Sequence, residues 1–203
     1  TEHAGYHYDP AGRLDKILRG SGSDEFTFHY DGADRRDQMV YPNGLDTLYN
    51  YDDLSRLTAV GAGRNNVATT EFHYTYDDAG NRISKTALGY AEGYGYDDRD
   101  RLTSALRTGA GAGQQRFGYD AVGNRETATY PNDTQASYAY DTLNRLTYLE
   151  NRNLTTSEII SSYTYELGPA GNRLAVTENT GRRVEYDYDS LYRLTNESIY
   201  DDG

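Results

Sequence analysis

Aromatic residues alternate with polar ones in short runs along the whole chain: Tyr6-His7-Tyr8, Phe26-Thr27-Phe28-His29-Tyr30, Tyr49-Asn50-Tyr51, Phe72-His73-Tyr74-Thr75-Tyr76, Tyr138-Ala139-Tyr140 and Tyr186-Asp187-Tyr188. A period of two is the mark of a strand with one face covered, and helical spacing never persists for more than a few residues. Each run ends on a Tyr followed by an acid, at Tyr8-Asp9, Tyr30-Asp31, Tyr51-Asp52, Tyr76-Asp77, Tyr96-Asp97, Tyr119-Asp120, Tyr140-Asp141, Tyr165-Glu166 and Tyr188-Asp189. The spacings are 22, 21, 25, 20, 23, 21, 25 and 23 residues, so nine copies fill the chain without a linker. An internal repeat of this period takes precedence over any local motif.

After each anchor Tyr comes a turn rich in Asp, Gly and Asn, which supply local backbone capping and positive φ. Then comes an Arg: Arg13, Arg35, Arg56, Arg82, Arg101, Arg125, Arg145, Arg173 and Arg193. A second short strand follows and closes on another turn such as Tyr41-Pro42-Asn43-Gly44, where Asn-Gly is a strong hairpin signal. Each copy therefore predicts a β-hairpin, and residues 1–203 predict a single all-β repeat array of antiparallel hairpins. Eighteen strands at about 4.8 Å each make a sheet edge of about 85 Å, which right-handed twist curls into a spiralling sheet or tube wall. Gly-Asn-Arg turns at Gly80, Gly123 and Gly171 alternate with Arg-Leu-Thr turns at Arg56, Arg101, Arg145 and Arg193, which predicts different surroundings for alternate hairpins. Two copies depart from the rule. Copy two carries an extra Arg36, and copy eight carries Leu167-Gly168-Pro169-Ala170-Gly171, expected to form a wider, bulged turn.

Composition changes the picture in three ways. Leu, Ile, Val and Phe number only 32 of 203 residues, which alone would suggest disorder. The 22 Tyr take over the burial that aliphatics usually supply, each keeping a hydroxyl for a partner. The net charge of −12 and pI near 4.7 disfavour nucleic acid and anionic membranes, and no apolar run is long enough for a membrane-spanning helix. Zero Cys removes disulfides, thiolate metal sites and Cys nucleophiles. Of 20 basic residues only Lys16 and Lys85 are lysine, in keeping with a role for the planar guanidinium fork.

Tyr-Asp-x-x-Gly-Arg-Leu and Tyr-Asp-x-x-Gly-Asn-Arg at this spacing resemble the YD repeat of the Rhs family, over essentially the whole chain. That family includes bacterial Rhs polymorphic toxins, the B and C components of toxin complexes, wall-associated proteins and teneurins. The resemblance implies a secreted or cell-surface bacterial β-shell that encloses or displays another segment. It also implies carbohydrate binding in surface members, and self-cleavage at an Asp-Pro-x-Gly-Leu site near the end of the shell. The one near match, Asp9-Pro10-Ala11-Gly12-Arg13, has Arg for Leu and stands at the front of the array, so the cleavage activity is not carried over.

The repeat residues are read as structural: Tyr8, Asp9, Arg13, Tyr30, Asp31, Tyr51, Asp52, Arg56, Tyr76, Asp77, Arg82, Tyr96, Asp97, Arg101, Tyr119, Asp120, Arg125, Tyr140, Asp141, Arg145, Tyr165, Arg173, Tyr188, Asp189 and Arg193. Catalysis needs one site made unlike its neighbours, and nine equal copies argue against it. No catalytic residue, cofactor or metal site is expected. The paired acids Asp52-Asp53, Asp77-Asp78, Asp97-Asp98 and Asp201-Asp202 lack the spacing of a calcium loop. His3, His7, His29 and His73 have no partner at metal-ligand spacing. Gly109-Ala110-Gly111-Ala112-Gly113 reads as a flexible connection without a phosphate-loop lysine. The expected partners are the remainder of a longer repeat chain or further copies of this one, because Thr1 and Gly203 look cut at repeat boundaries. Glycans and a self-assembling filament stand as alternatives.

Period two puts Gly118 on the face opposite Tyr119. Tyr119→Ala is then expected to cost about 3–5 kcal/mol, as a buried aromatic does, and Gly118→Ser little. Far-UV circular dichroism is expected to show β-sheet with almost no helix; a helical fraction typical of globular domains would overturn the architecture.

Overall fold

An Asp directly after the last strand residue sets the shape of eight of the nine Tyr-Asp turns, Gly168 taking its place in the other. In a computed structural model describing residues 3–20 and 24–201, the Asp9 N–H donates to the Arg13 carbonyl at 2.9 Å and the Gly12 N–H to the Asp9 carbonyl at 2.9 Å. The same pair of bonds recurs in turns starting at Asp31, Asp52, Asp77, Asp97, Asp120, Asp141, Gly168 and Asp189. The fourth turn residue always has positive φ: Gly12, Asp34, Ser55, Gly80, Asp100, Gly123, Asn144, Gly171 and Tyr192. A tight turn closed by a left-handed residue forms a bulge that matches the twist of the flanking strands. The pairing register accordingly shifts just before the anchor, as between His7 and Tyr8 or Gly118 and Tyr119.

The described residues form eighteen strands and no helix, in two compact units. The first holds β1 (Ala4–Tyr8), β2 (Leu14–Arg19), β3 (Asp24–Tyr30), β4 (Arg36–Val40), β5 (Leu45–Tyr51), β6 (Leu57–Arg64), β7 (Val67–Tyr76) and β8 (Arg82–Ala87). The second holds β11 (Gly113–Tyr119), β12 (Arg125–Thr129), β13 (Thr134–Tyr140), β14 (Leu146–Asn153), β15 (Ile159–Leu167), β16 (Arg173–Glu178), β17 (Arg183–Tyr188) and β18 (Leu194–Tyr200). β9 (Tyr90–Tyr96) and β10 (Leu102–Gly109) contribute residues to both. Within each unit these strands pair antiparallel with their neighbours in sequence.

One register holds at the join between hairpins. The eighth residue after the first turn residue faces the residue four before the next anchor, as in Ile17↔Phe26, Val60↔Phe72, Lys85↔Glu92, Ala128↔Ala136 and Val176↔Val184. The uneven repeat spacing is absorbed on the far edge of the sheet, where β6 has 8 residues and β7 has 10, against 5 in β4 and β12.

Copy eight differs from the sequence reading. Leu149 pairs with Tyr163 and Leu167 with Arg173, so Leu167 takes the anchor place and Gly168 the turn place of Asp. The inserted pair lengthens β15 to 9 residues, and the turn keeps its ordinary form rather than widening. The stretch from Gly109 to Gly113 is a tight turn, with the Ala112 N–H donating to the Gly109 carbonyl at 3.1 Å, rather than a loose connection. Thr1, Asp202 and Gly203 lie outside the described residues.

The buried apolar set is small: Phe28 and Ala59 in the first unit, Ala128, Ala136, Ala175, Val176 and Val184 in the second. No large side chain among the described residues is fully buried, so half-buried aromatic rings carry the packing. Asp46 is the exception among polar groups at 3% exposure, its carboxylate accepting the Asn66 N–H at 2.7 Å and so pinning the turn between β6 and β7.

Gly118 does lie across from its neighbour strand on the face away from the Tyr119 ring, but that face is not empty. A Cβ there would meet Thr127 Oγ1 at 2.4 Å, so Gly118→Ser forces the Thr127 side chain to rotate and is not the harmless change that alternation alone suggests. Two turn substitutions separate the backbone requirement from packing. Tyr192 has φ 58° with its side chain exposed, so Tyr192→Gly is expected to stabilise by about 1 kcal/mol. Gly123 has φ 107°, and Gly123→Val is expected to cost about 2 kcal/mol or more. Urea unfolding of the two variants, giving opposite signs, checks the assignment.

Candidate functional site: the ladder of Tyr-Asp turns

Asp52 shows what the repeated acid does. Its Oδ1 accepts the N–H groups of Leu54 at 3.0 Å and Arg56 at 2.9 Å, and its Oδ2 accepts the Arg56 Nε–H at 2.7 Å. Asp9, Asp31, Asp97, Asp141 and Asp189 repeat the pattern with Arg13, Arg35, Arg101, Arg145 and Arg193. The carboxylate thus closes the turn and holds the Arg side chain in one orientation. Such bonds favour the ionised form. The Arg backbone N–H is the largest influence holding the carboxyls of Asp9, Asp31, Asp52, Asp141 and Asp189 below the usual range. At Asp97 the Arg101 guanidinium leads and brings it down to about 2.

The oriented guanidinium then reaches the next hairpin. Arg13 lies over the Tyr30 ring at 4.5 Å, Arg35 over Tyr51 at 4.8 Å, Arg56 over Tyr76 at 4.8 Å and Arg101 over Tyr119 at 4.5 Å. Nη1 also donates to a carbonyl of that next turn, from Arg35 to Asp52 at 2.8 Å, from Arg56 to Asp77 at 3.0 Å and from Arg145 to Gly168 at 2.8 Å. The anchor Tyr answers in the other direction. Tyr30, Tyr51, Tyr76, Tyr119 and Tyr140 donate their hydroxyls to the carbonyls of Leu14, Arg36, Leu57, Leu102 and Arg125, each just past the preceding turn. The Arg35–Tyr51, Arg56–Tyr76 and Arg101–Tyr119 steps each couple two hairpins through a ring, a guanidinium and two carbonyls.

The alternate turn form has a specific geometry. In copies four and six Asn takes the place of the clasping Arg, Asn81 and Asn124 donating to Asp77 and Asp120 at 3.2 and 2.9 Å. The Arg moves one residue on and stacks on the inner ring of its own hairpin, Arg82 over Tyr74 at 5.5 Å and Arg125 over Phe117 at 5.1 Å; Arg82 also lies over Tyr94 of the next hairpin at 5.0 Å. Arg173 does the same over Tyr165 at 4.7 Å, which puts Tyr165 in the inner aromatic position and not in the anchor position. Copy two holds both roles, Arg35 clasping Tyr51 and the extra Arg36 stacking on Phe28 at 4.9 Å. Tyr8, Tyr96 and Tyr188 each end the first strand of their hairpin, like the other anchors.

The sequence treats the nine arginines as equivalent; the two roles differ by one residue of position, a difference visible in Gly-Asn-Arg against Arg-Leu-Thr. Asp46 gives no such signal, since it lies outside the repeat motif. Among the described residues no group of three His, Cys, Asp or Glu side chains could hold a metal ion. The first acid of each described pair is spent on its turn. His7 bonds Asp15 and His73 lies 3.3 Å from Glu71. The grooves along the turn edge, such as that lined by Asp97, Arg101, Tyr119 and Asp120, are open and built from groups already bonded to one another.

Comparison with known proteins places this geometry. The family model of the RHS repeat matches residues 96–135. The tRNA3(Ser)-specific nuclease WapA of Bacillus spizizenii is 34% identical over 117 residues, 57% of this chain and 4% of that protein. A crystal structure of TcdB2-TccC3 without its hypervariable C-terminal region has the same fold, with TM-score 0.77 and 16% identity over 95% of this chain and 12% of that one. A Photorhabdus luminescens Tc holotoxin pore matches with TM-score 0.55 and 15% identity, over 94% of this chain and 15% of that one. The chain thus spans a small fraction of each relative's length.

The ladder makes distinct demands on its parts. Tyr119→Phe is expected to cost about 1 kcal/mol for the hydroxyl bond to Leu102. Tyr119→Ala is expected to cost about 2–3 kcal/mol, less than a fully buried aromatic because the ring is half-exposed. Arg101→Lys, which loses fork and stack together, is expected to cost about 1 kcal/mol. A depressed carboxyl stabilises the fold above its unfolded value of 3.8 and stops doing so as pH falls through its folded value of about 2, as at Asp97. Acid titration followed by circular dichroism is therefore expected to show loss of sheet between those values, with a shallower slope in Asp97→Asn.

Proposed function

Starting from a chain that is a YD-repeat array of the Rhs type, we propose that it serves as a non-enzymatic structural module, a wall segment of a secreted or cell-surface bacterial shell that encloses or displays another part of a longer protein. The observation that carries this reading is the reuse of one Tyr-Asp-Arg clasp from hairpin to hairpin, with its polar atoms consumed in joining neighbours. In this reading no copy serves as a reaction site. Copy eight, which departs most, loses the carboxylate and the phenol rather than gaining a chemical group.

The relative named as a nuclease supports a toxin context for the repeats. In this reading its nuclease chemistry belongs to other parts of a protein of which this chain matches a small share. Stacking of sugars on the anchor rings is disfavoured at Tyr30, Tyr51, Tyr76 and Tyr119, where a guanidinium already occupies a ring face.

The purified chain incubated with transfer RNA, and separately alone at 37 °C, is expected to give neither cleaved RNA nor a discrete pair of protein fragments. A product of either kind that disappears on changing a single Asp would overturn the structural reading. Binding to a glycan array that is lost in Tyr119→Ala but kept in Gly123→Val would move the function to adhesion.

A further inference from the structure

Where the fifth turn residue is Arg, its guanidinium fills the space between two turns. Arg56 lies over the Tyr76 ring at 4.8 Å, and its Nη1 donates to the Asp77 carbonyl at 3.0 Å. In copy six the fifth residue is Asn124. Its amide is shorter and ends inside the join, donating to Asp120 Oδ2 and to Asn144 Oδ1, both at 2.9 Å. Arg125 turns back over Phe117 at 5.1 Å, so among the described residues no cation covers the Tyr140 ring. The Asp141 carbonyl stands where the Asp77 carbonyl stands in the filled join. It accepts the Asn144 N–H at 3.0 Å and has a second lone pair to offer.

The result is a groove of about 410 Å³ between copies six and seven, inside the second unit, with Asp120, Glu126, Tyr138, Tyr140 and Asn144 in its lining. Glu126 sets it apart. Three turns carry Asn at the fifth position, and two residues further on stand Ile83, Glu126 and Leu174. Glu126 is exposed and makes no hydrogen bond or ion pair among the described residues. Unlike the groove beside Asp97, this one therefore holds a carboxylate that the clasp does not use. The join between copies eight and nine gives the contrast. Its groove is lined by Arg145, Arg173, Tyr186 and Tyr188 with no acid, and Gly168 has removed the turn carboxylate as well. A cation is favoured in the first groove and disfavoured in the second.

We propose that the groove between copies six and seven binds an arginine side chain presented by another polypeptide. The chain's own filled joins supply the pose. The incoming guanidinium stacks on the face of Tyr140, donates one N–H to the Asp141 carbonyl as Arg56 does to Asp77, and turns its remaining donors to Glu126. A planar fork makes these three contacts together, which a compact ammonium does not. The net charge of −12 draws a basic partner toward this surface. This goes beyond the wall-segment reading and gives the wall one position at which it recognises a partner.

Asn124→Arg tests this by refilling the join from within. The variant takes the clasping form of six native turns, so it is expected to fold and to resist urea at least as well as the parent chain. Titration of the isotope-labelled full chain with N-acetyl-arginine amide is expected to give saturable NMR shifts at Asn124, Glu126, Tyr140 and Asn144, with a Kd on the order of 1 mM. N-acetyl-citrulline amide, which has the same shape without the charge, is expected to bind about tenfold more weakly, and so is the lysine amide. Glu126→Gln is expected to weaken arginine amide binding about fivefold, and Asn124→Arg to abolish it. An absence of saturable shifts in the groove of the parent chain, equal binding of the citrulline amide, binding unchanged in Glu126→Gln, or binding that survives in folded Asn124→Arg would each overturn the proposal and leave the structural-module reading standing.

Discussion

A carboxylate fixed by backbone N–H groups on one side and by a guanidinium on the other is the constraint from which the rest of the sheet follows. The Asp at the start of each clasping turn satisfies donors that a tight turn would otherwise leave to water, and in doing so it removes the rotational freedom of a long side chain. An Arg that is already oriented loses little more when it covers a ring on the next hairpin. The entropy of ordering the guanidinium is spent once and serves two bonds, one within a hairpin and one between hairpins. Lys could supply the charge but neither the fork nor the flat face, which accounts for the near absence of Lys in so repetitive a sequence.

This constraint also explains how a chain so poor in aliphatics orders at all. With Ala128, Ala136, Ala175, Val176 and Val184 as the buried set of the second unit, there is no thick core to collapse around. The free energy comes instead from rows of half-buried rings, each covered on one side by its neighbours and finished by a hydroxyl bond to a carbonyl. A phenylalanine would bury as much area but would leave that carbonyl to water. The arrangement is local and additive, in the manner of other repeat architectures, where each unit contacts its neighbours and no element is distant from its partners in sequence.

Much of this was legible in the residues. Alternation of aromatics gave the strands, Asp with Gly or Asn gave the turns, and the repeat gave the connectivity. The failures share a cause, which is that a motif marks chemistry without marking register. Tyr165-Glu166 has the composition of an anchor, but Leu167-Gly168 has the register of one, because the turn requires positive φ at its fourth residue, which Gly171 supplies, more than it requires a carboxylate. Gly118 was legible as facing away from Tyr119, but not as lying against Thr127, since the residue opposite depends on the bulge that shifts the pairing by one. The split of the arginines into clasping and stacking roles follows from the same single-residue offset, and Asp46 lies outside any repeated signal.

The two edges of the sheet carry unequal freedom to change. On the Tyr-Asp edge every turn has the same length, because the bulge, the carboxylate and the reach of the guanidinium are all set by it. On the opposite edge strands lengthen and shorten, and copy eight gained two residues while Tyr163 and Tyr165 stayed on the same side as the rings around them. Growth in steps of two preserves the side each aromatic faces, whereas a single added residue would turn the rest of its strand over. Such a sheet can acquire longer hairpins on its free margin, and with them new surfaces, without disturbing the margin that binds its hairpins into a series.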